Sequence, residues 1–477
     1  MASADHSLND AWRPLAEKAL KGAPLTSLQT PMADGFSVEP IYGPTPPVYS
    51  GRAMPGDWRV VERYDTDDAA QAEAALWSGA NVLCLVFAGH PLAEGRGLVA
   101  DTVDTLDNAL KGVLFEHVLM RMEAAPRSTE ALALFLALTK RRGVDPAGFH
   151  AGLDPVGAGR APSRIDGEAA LAAHAMGAMT VFTSDGRPVA EAGGTPAQEL
   201  AFALSSFAAY LRALDTAGLA PAKCLSLVEI ALSANQDQFT TIAKLRAARR
   251  LHRLIAEACG VSDPPPLSLH ATTASRMLSR RDPHTNLLRN TIAAFAAGVG
   301  GAESVAVRAF DTIGSPLARR LSRNVQTLLI EESHCAAQGD PAAGAGAIEA
   351  LTDAIAQAAW SSFQENDGEL FFARLASGEL ASEFAAAASE EDQAFASGAR
   401  TMVGVTKFAP PEQAPRPPTK PATVPHRRTR EVSAGTFGDL MEAAREGATL
   451  GDLTAALYGE APQPPLVPRR LSAPFED

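Results

Sequence analysis

Cysteine is scarce in this 477-residue chain: Cys84, Cys224, Cys259 and Cys335 stand far apart, and no C-x-x-C pair occurs. That spacing excludes a zinc ribbon and a dithiol redox motif. Cys84 inside NVLCLVF and Cys224 inside KCLSLVEI read as buried, inert thiols, which fits a reducing cytoplasm. Stacking aromatics are few, 4 Trp and 5 Tyr, and basic charge is outweighed, 42 Lys and Arg against 55 Asp and Glu. A net charge of −13 argues against a nucleic-acid binder, whose affinity rests on neutralising phosphates. No stretch approaches about eighteen consecutive apolar residues, so no membrane span is expected. The opening MASADHSLNDAWRP lacks the basic-then-apolar layout of a secretory signal. There is also no H-E-x-x-H, no G-x-S-x-G and no G-x-x-x-x-G-K-[ST].

What is present is a regular alternation. Short apolar runs occur at 59–64, 81–87, 117–122, 148–153, 179–184, 223–230, 266–273 and 304–311, each followed by a segment with helical character. The clearest helix is predicted over 196–217, where Leu200, Leu204, Phe207, Leu211 and Leu214 recur at spacings of four and three. Thr195-Pro196 supplies its N-cap and first turn, and Gly218 lies beyond its end. Runs that are apolar throughout suit strands covered on both faces. Eight such units over about 280 residues match an α/β TIM barrel, with an open doubly wound sheet as the alternative. Either fold places ligands at the C-terminal strand ends, here near 183–188, 229–235, 270–276 and 311–315.

The flanks have another character. Residues 1–57 read as an N-terminal arm, with a short helix at 8–24 and an extended segment at 36–42, leading to a barrel at 58–335. A helical extension follows at 336–408, then a Pro-rich linker at 409–435, then a helical pair and tail at 436–477. The basic stripe Lys244, Arg246, Arg249, Arg250 and Arg253 reads as a solvated helix face. Asp101, Asp104 and Asp107 read as a helix N-terminus, and match no metal loop. Asp282-Pro283-His284 falls at a helix start and lacks the glycine of a cobalt-binding D-x-H-x-x-G loop. Gly298-Val299-Gly300-Gly301 precedes a predicted strand, so it is no dinucleotide fingerprint.

Read together, several stretches resemble the methylmalonyl-CoA mutase family. They are Glu191-Ala-Gly-Gly-Thr-Pro-Ala-Gln-Glu-Leu200, Ile242-Ala-Lys-Leu-Arg-Ala-Ala-Arg-Arg-Leu251, Asp282-Pro-His-Thr-Asn-Leu-Leu-Arg289, Leu317-Ala-Arg-Arg-Leu-Ser-Arg-Asn-Val-Gln326 and Val403-Gly-Val-Thr-Lys-Phe408. The resemblance implies a TIM barrel carrying an acyl-CoA site, and an adenosylcobalamin domain joined by a linker. The departures imply a degenerate site. Where catalytic members carry G-Y-H-M-Q, with a histidine for the thioester carbonyl, this chain reads Gly186-Arg-Pro188-Val-Ala190. Proline has no side-chain donor and cannot polarise a carbonyl. In the approach segment Thr45 replaces a tyrosine, Arg52 is retained, and the later R-Q-Y is gone by Arg59. On the seventh strand the family's R-T-H-S-Q becomes Ser268-Leu269-His270-Ala271-Thr272, retaining only the histidine.

The resemblance therefore implies a small, non-catalytic (β) subunit. Its degenerate positions are Pro188, Thr45, Arg59, Ser268 and Thr272, and its remnants of a substrate site are Arg52 and His270. It would bind no metal and no cofactor, and would lack a complete cobalamin-binding domain. Its partner would be a large catalytic subunit that holds adenosylcobalamin and interconverts (R)-methylmalonyl-CoA and succinyl-CoA, with the arms at 1–50 and 409–477 wrapping that partner. The alternative is an independently active barrel enzyme on a small acyl-CoA or phosphorylated substrate, or an unrelated scaffold.

Overall fold

The computed structural model describes residues 7–411, 427–459, 462 and 464–475, so most of the expected Pro-rich linker lies outside the described residues. Eight parallel strands form a closed barrel: β1 (Arg59–Tyr64), β2 (Val82–Val86), β3 (Leu119–Glu123), β4 (Phe149–Leu153), β5 (Ala178–Asp185), β6 (Val228–Ala234), β7 (Leu269–Thr273) and β8 (Ser304–Ala306). Ser304 pairs with Arg59 on one side and His270 on the other, and this closure rules out the open sheet. Two expected runs are partly helix or loop. Residues 223–227 belong to a helix, Pro221–Leu227, whose first turn is preset by proline, and β6 starts at β-branched Val228. The run at 304–311 is strand only to Ala306, because Arg308 beyond it turns its guanidinium to the Thr273 carbonyl at 2.8 Å. In the arm, the expected extended segment narrows to Ser37–Val38, paired antiparallel with Thr30–Pro31 and ended before Pro40.

Helix Pro196–Thr216 forms as its sequence predicts. Thr195 and Gln198 make a reciprocal capping box, and Leu200, Leu204, Phe207, Leu211 and Leu214 are all buried. The basic stripe on helix Gln238–Ala258 is not a solvated face. Lys244, Arg246 and Arg249 are buried, and only Arg253 is exposed. Helix Gly346–Glu365 of the extension packs over this face and brings Glu349 to Arg246 at 2.8 Å, while Asp340 bonds the same guanidinium. Glu303 meets Arg249 at 2.5 Å. Helical periodicity gave no sign of this second layer. The extension continues as Glu369–Ser377 and Glu379–Ala396, helical as expected.

Helix Ser128–Arg142 explains where the C-terminal segment goes. Every residue from Ser128 to Thr139 is buried, the outward side included. Helices Phe437–Arg445 and Leu450–Tyr458 cover that side with Leu440 and Leu453, both fully buried. The C-terminal arm therefore packs on its own barrel, whereas residues 11–30 of the N-terminal arm remain largely exposed. Thr102 caps helix Val103–Ala109, and Asp104 and Asp107 pair with Arg141. His284 marks the start of helix Thr285–Val299. Cys84 and Cys224 are buried as expected, and no helix among the described residues is long and apolar enough to cross a membrane.

Candidate functional site

Register fixes which side chains share the barrel axis. Val61, Val82, Cys84, Val86 and Ala306 form one small apolar wall. Facing it are long charged side chains: Arg63 from β1, Arg121 and Glu123 from β3, Glu229 from β6, and Asp185 with Arg187 at the end of β5. Arg63 Nη1 donates to Glu123 at 2.8 Å and Arg121 Nη1 to Glu229 at 2.7 Å. Arg187 crosses the axis from β5, donating to Asp185 at 2.8 and 2.7 Å, to Glu123 at 2.5 Å and to the Thr272 hydroxyl at 2.9 Å. Three arginines thus face three carboxylates, all buried. Such a set is tolerated only when each member is paired.

The electrostatics follow from the pairing. Burial pushes Glu123 up, but Arg187, Arg63, His90 and Arg121 outweigh it and hold the carboxyl well below its ordinary range. His270 is fully buried between the Ser304 and Thr272 hydroxyls, at 2.8 and 3.1 Å. Burial, with Arg121 and Arg187 nearby, pushes its pKa well down, so its imidazole is neutral. His150 is likewise lowered by burial, though Glu229 opposes the shift. A cavity beside Arg63 and Arg308 measures about 20 Å3, room for about one water.

The expected positions do not form one site. Pro188, His270 and Thr272 lie on or beside the axis. Pro188 is in the buried helix Arg187–Ala192 that folds over the C-terminal mouth. Arg52 lies at the opposite end, where its guanidinium donates to the carbonyl of Gly298 at 2.6 Å, in the helix that leads to β8. There it ties the arm to the base of the barrel. Thr45 is exposed near Gly344, and Arg59 and Ser268 sit at or before the N-terminal ends of β1 and β7.

Two places suited to an oxyanion are filled by the chain's own carboxylates. The Asp311 carboxylate accepts the N–H groups of Ile313, Gly314 and Ser315 at 3.1, 2.9 and 3.1 Å, after β8. Glu191 does the same after β7, accepting the Ser275 and Arg276 N–H groups at 2.7 and 2.9 Å. These are the loops that hold phosphate in many TIM barrels, and here they are self-occupied. Among the described residues no His, Cys, Asp and Glu group is arranged to hold a metal ion. Sequence reasoning missed the axial network. Its signal was present in charged residues at alternate positions of otherwise apolar runs, as with Arg121 and Glu123.

Fold and site together define a (β/α)8 barrel whose axis is occupied by its own side chains. Residues 168–440 match the family model for methylmalonyl-CoA mutase, from the helix before β5 into the C-terminal helical pair. The methylmalonyl-CoA mutase small subunit of Streptomyces virginiae is 35% identical over 445 residues, covering 85% of this chain and 70% of the relative. A probable methylmalonyl-CoA mutase small subunit of Mycobacterium bovis is 34% identical over 439 residues, covering 84% and 69%. A methylmalonyl-CoA mutase of Escherichia coli is 33% identical over 239 residues, covering 49% and 34%. The chain belongs to the methylmalonyl-CoA mutase family.

Proposed function

We propose that this chain is a non-catalytic small subunit of a methylmalonyl-CoA mutase, stabilising a large subunit that carries the reaction. The filled axis is the observation that carries this reading. A mutase barrel needs room for an acyl thioester and a donor for its carbonyl. Here the space is taken by Arg121, Arg187 and their carboxylate partners, and the donor position is Pro188. The residues present do not fit an acyl-CoA in the barrel, and no catalytic step is assigned to them. Adenosylcobalamin, the cofactor implied by the family, is assigned to the large subunit, and the complex to the cytoplasm.

The N-terminal arm is the segment assigned to partner contact. Leu15 on helix Ser7–Leu20 is 68% exposed, and at the hairpin the arm meets the barrel, where Asp34 accepts the Ala197 N–H at 3.3 Å. Co-expression with a large mutase subunit, followed by native mass measurement, tests the reading. A stable heterodimer is expected, with isomerase activity only in the presence of the large subunit. Turnover or cobalamin binding by this chain alone would overturn it.

A further inference from the structure

The C-terminal helix Leu450–Tyr458 meets helix Ser128–Arg142 at an ionisable side chain. Glu130 is fully buried there. One of its carboxylate oxygens lies 2.9 Å from the Thr454 hydroxyl, which it shares with the Leu450 carbonyl at 2.8 Å, and the other has no hydrogen-bond partner. An ionised carboxyl in this position gives up its hydration and has only its own backbone N–H and the Thr454 hydroxyl in return, so the neutral acid suits the docked interface.

The charged groups around Glu130 are committed elsewhere or face away. Arg127, just before its helix, donates to the Ala88 carbonyl at 3.3 Å. Arg160 is engaged by Asp166 at 2.6 and 2.9 Å and by the Tyr458 hydroxyl at 2.6 Å. On the docked segment, Asp452 accepts the Thr429, Arg430 and Thr449 N–H groups, at 2.7, 3.1 and 2.8 Å. Asp439, Glu442 and Arg445 are exposed. Burial dominates over the opposing pull of its own backbone N–H, Thr454, Arg127 and Arg160, and pushes the Glu130 carboxyl up to about 7.

We infer that Glu130 is a proton-operated latch on the C-terminal helical pair: protonated, it seals the pair onto the barrel, and ionised, it loosens the docking. With the pair undocked, the carboxyl meets water and titrates near its ordinary value of about 4.3. Docking therefore weakens as pH rises from about 4.5 to 7, by up to tenfold per unit, and levels off above that. The sign is opposite to that of an ion-paired carboxylate such as Asp166, which burial raises but Arg160 pulls below its ordinary value.

Native-state hydrogen exchange on the full chain reads the latch directly. Opening constants for amides in 437–458, corrected for intrinsic exchange, are expected to rise at least tenfold between pH 5 and 7 and then stay flat. Glu130→Gln should abolish the rise. Thr454→Val, which removes the bond favouring the charged form, should move its midpoint to higher pH. Opening constants independent of pH in the unaltered chain, an undiminished rise in Glu130→Gln, or an unmoved midpoint in Thr454→Val would each overturn the inference. Helix Gln238–Ala258 serves as the internal control, and an equal rise there would also overturn it.

Discussion

Removing Arg187 is the sharpest test of what fills the barrel. Its guanidinium is 1% exposed and holds Asp185 through two donors while also bonding Glu123 and Thr272. In Arg187→Met the methionine takes up part of the volume, but Asp185 loses its ion pair in a dry site. Glu123 is less affected, because Arg63 still donates to it at 2.8 Å. Breaking a buried pair from one side costs about 3–5 kcal/mol, a large part of the roughly 5–15 kcal/mol that holds a domain folded. The loss should be read as a lower urea midpoint at pH 7.5 by far-UV circular dichroism. The double variant Arg187→Met/Asp185→Asn should recover about 1–3 kcal/mol, since contacting pairs are non-additive by that amount. A single variant within about 1 kcal/mol of the parent, which is ordinary for a surface change, would show that the network does not hold the axis. A double variant no better than the single would do the same.

Other consequences are smaller. Pro188→His should give no formation of succinyl-CoA from methylmalonyl-CoA with adenosylcobalamin, because the axis stays filled; turnover would contradict the account of the site. Leu440→Ala, at a fully buried contact of the C-terminal pair, should cost about 2–5 kcal/mol and speed proteolytic cleavage within 427–459. His90 is lowered to about 4 by burial, so the folded chain takes up its proton later than the unfolded chain does. Stability should fall as pH drops from 6.5 to 4, by up to about 1.4 kcal/mol per unit. His90→Asn, which can still accept the Leu92 N–H, should flatten that acid limb in urea titrations at several pH values.

The strands were legible because a parallel sheet covered on both faces leaves uninterrupted apolar runs, as in Val82–Val86. Helix Pro196–Thr216 was legible because its cap, proline and apolar spacing agree. Failures came where an outer layer covers a helix. Arg246 and Arg249 look solvated by periodicity alone, and only tertiary packing brings Asp340, Glu349 and Glu303 to them. Helix Ser128–Arg142 carried the reverse clue, since every position from Ala131 to Leu138 is apolar, which leaves no polar side over two turns and thus requires a cover. For the site, Pro188 was readable as a side chain without a donor. Arg187 next to it was not, because its importance depends on a reach across the axis to Glu123.

A single lost histidine would leave an empty, correctable site; this barrel is different. Arg63, Arg121 and Arg187 are matched by Glu123, Glu229 and Asp185, so no net charge remains on the axis to draw in a ligand. His150 and His270 are kept neutral and bonded to hydroxyls, which removes them as proton donors near neutral pH. The mouth above is closed by helix Arg187–Ala192 and by the tail, whose Arg469 N–H donates to the Glu191 carbonyl at 2.7 Å and Leu471 N–H to that of Arg276 at 3.1 Å. Space, charge and access are each taken up by internal contacts. Opening a ligand site there would require breaking buried pairs whose loss costs several times a typical hydrogen bond of about 1 kcal/mol. The axis of the barrel is thus held by buried ion pairs that reach from β1, β3 and β6 and from the end of β5.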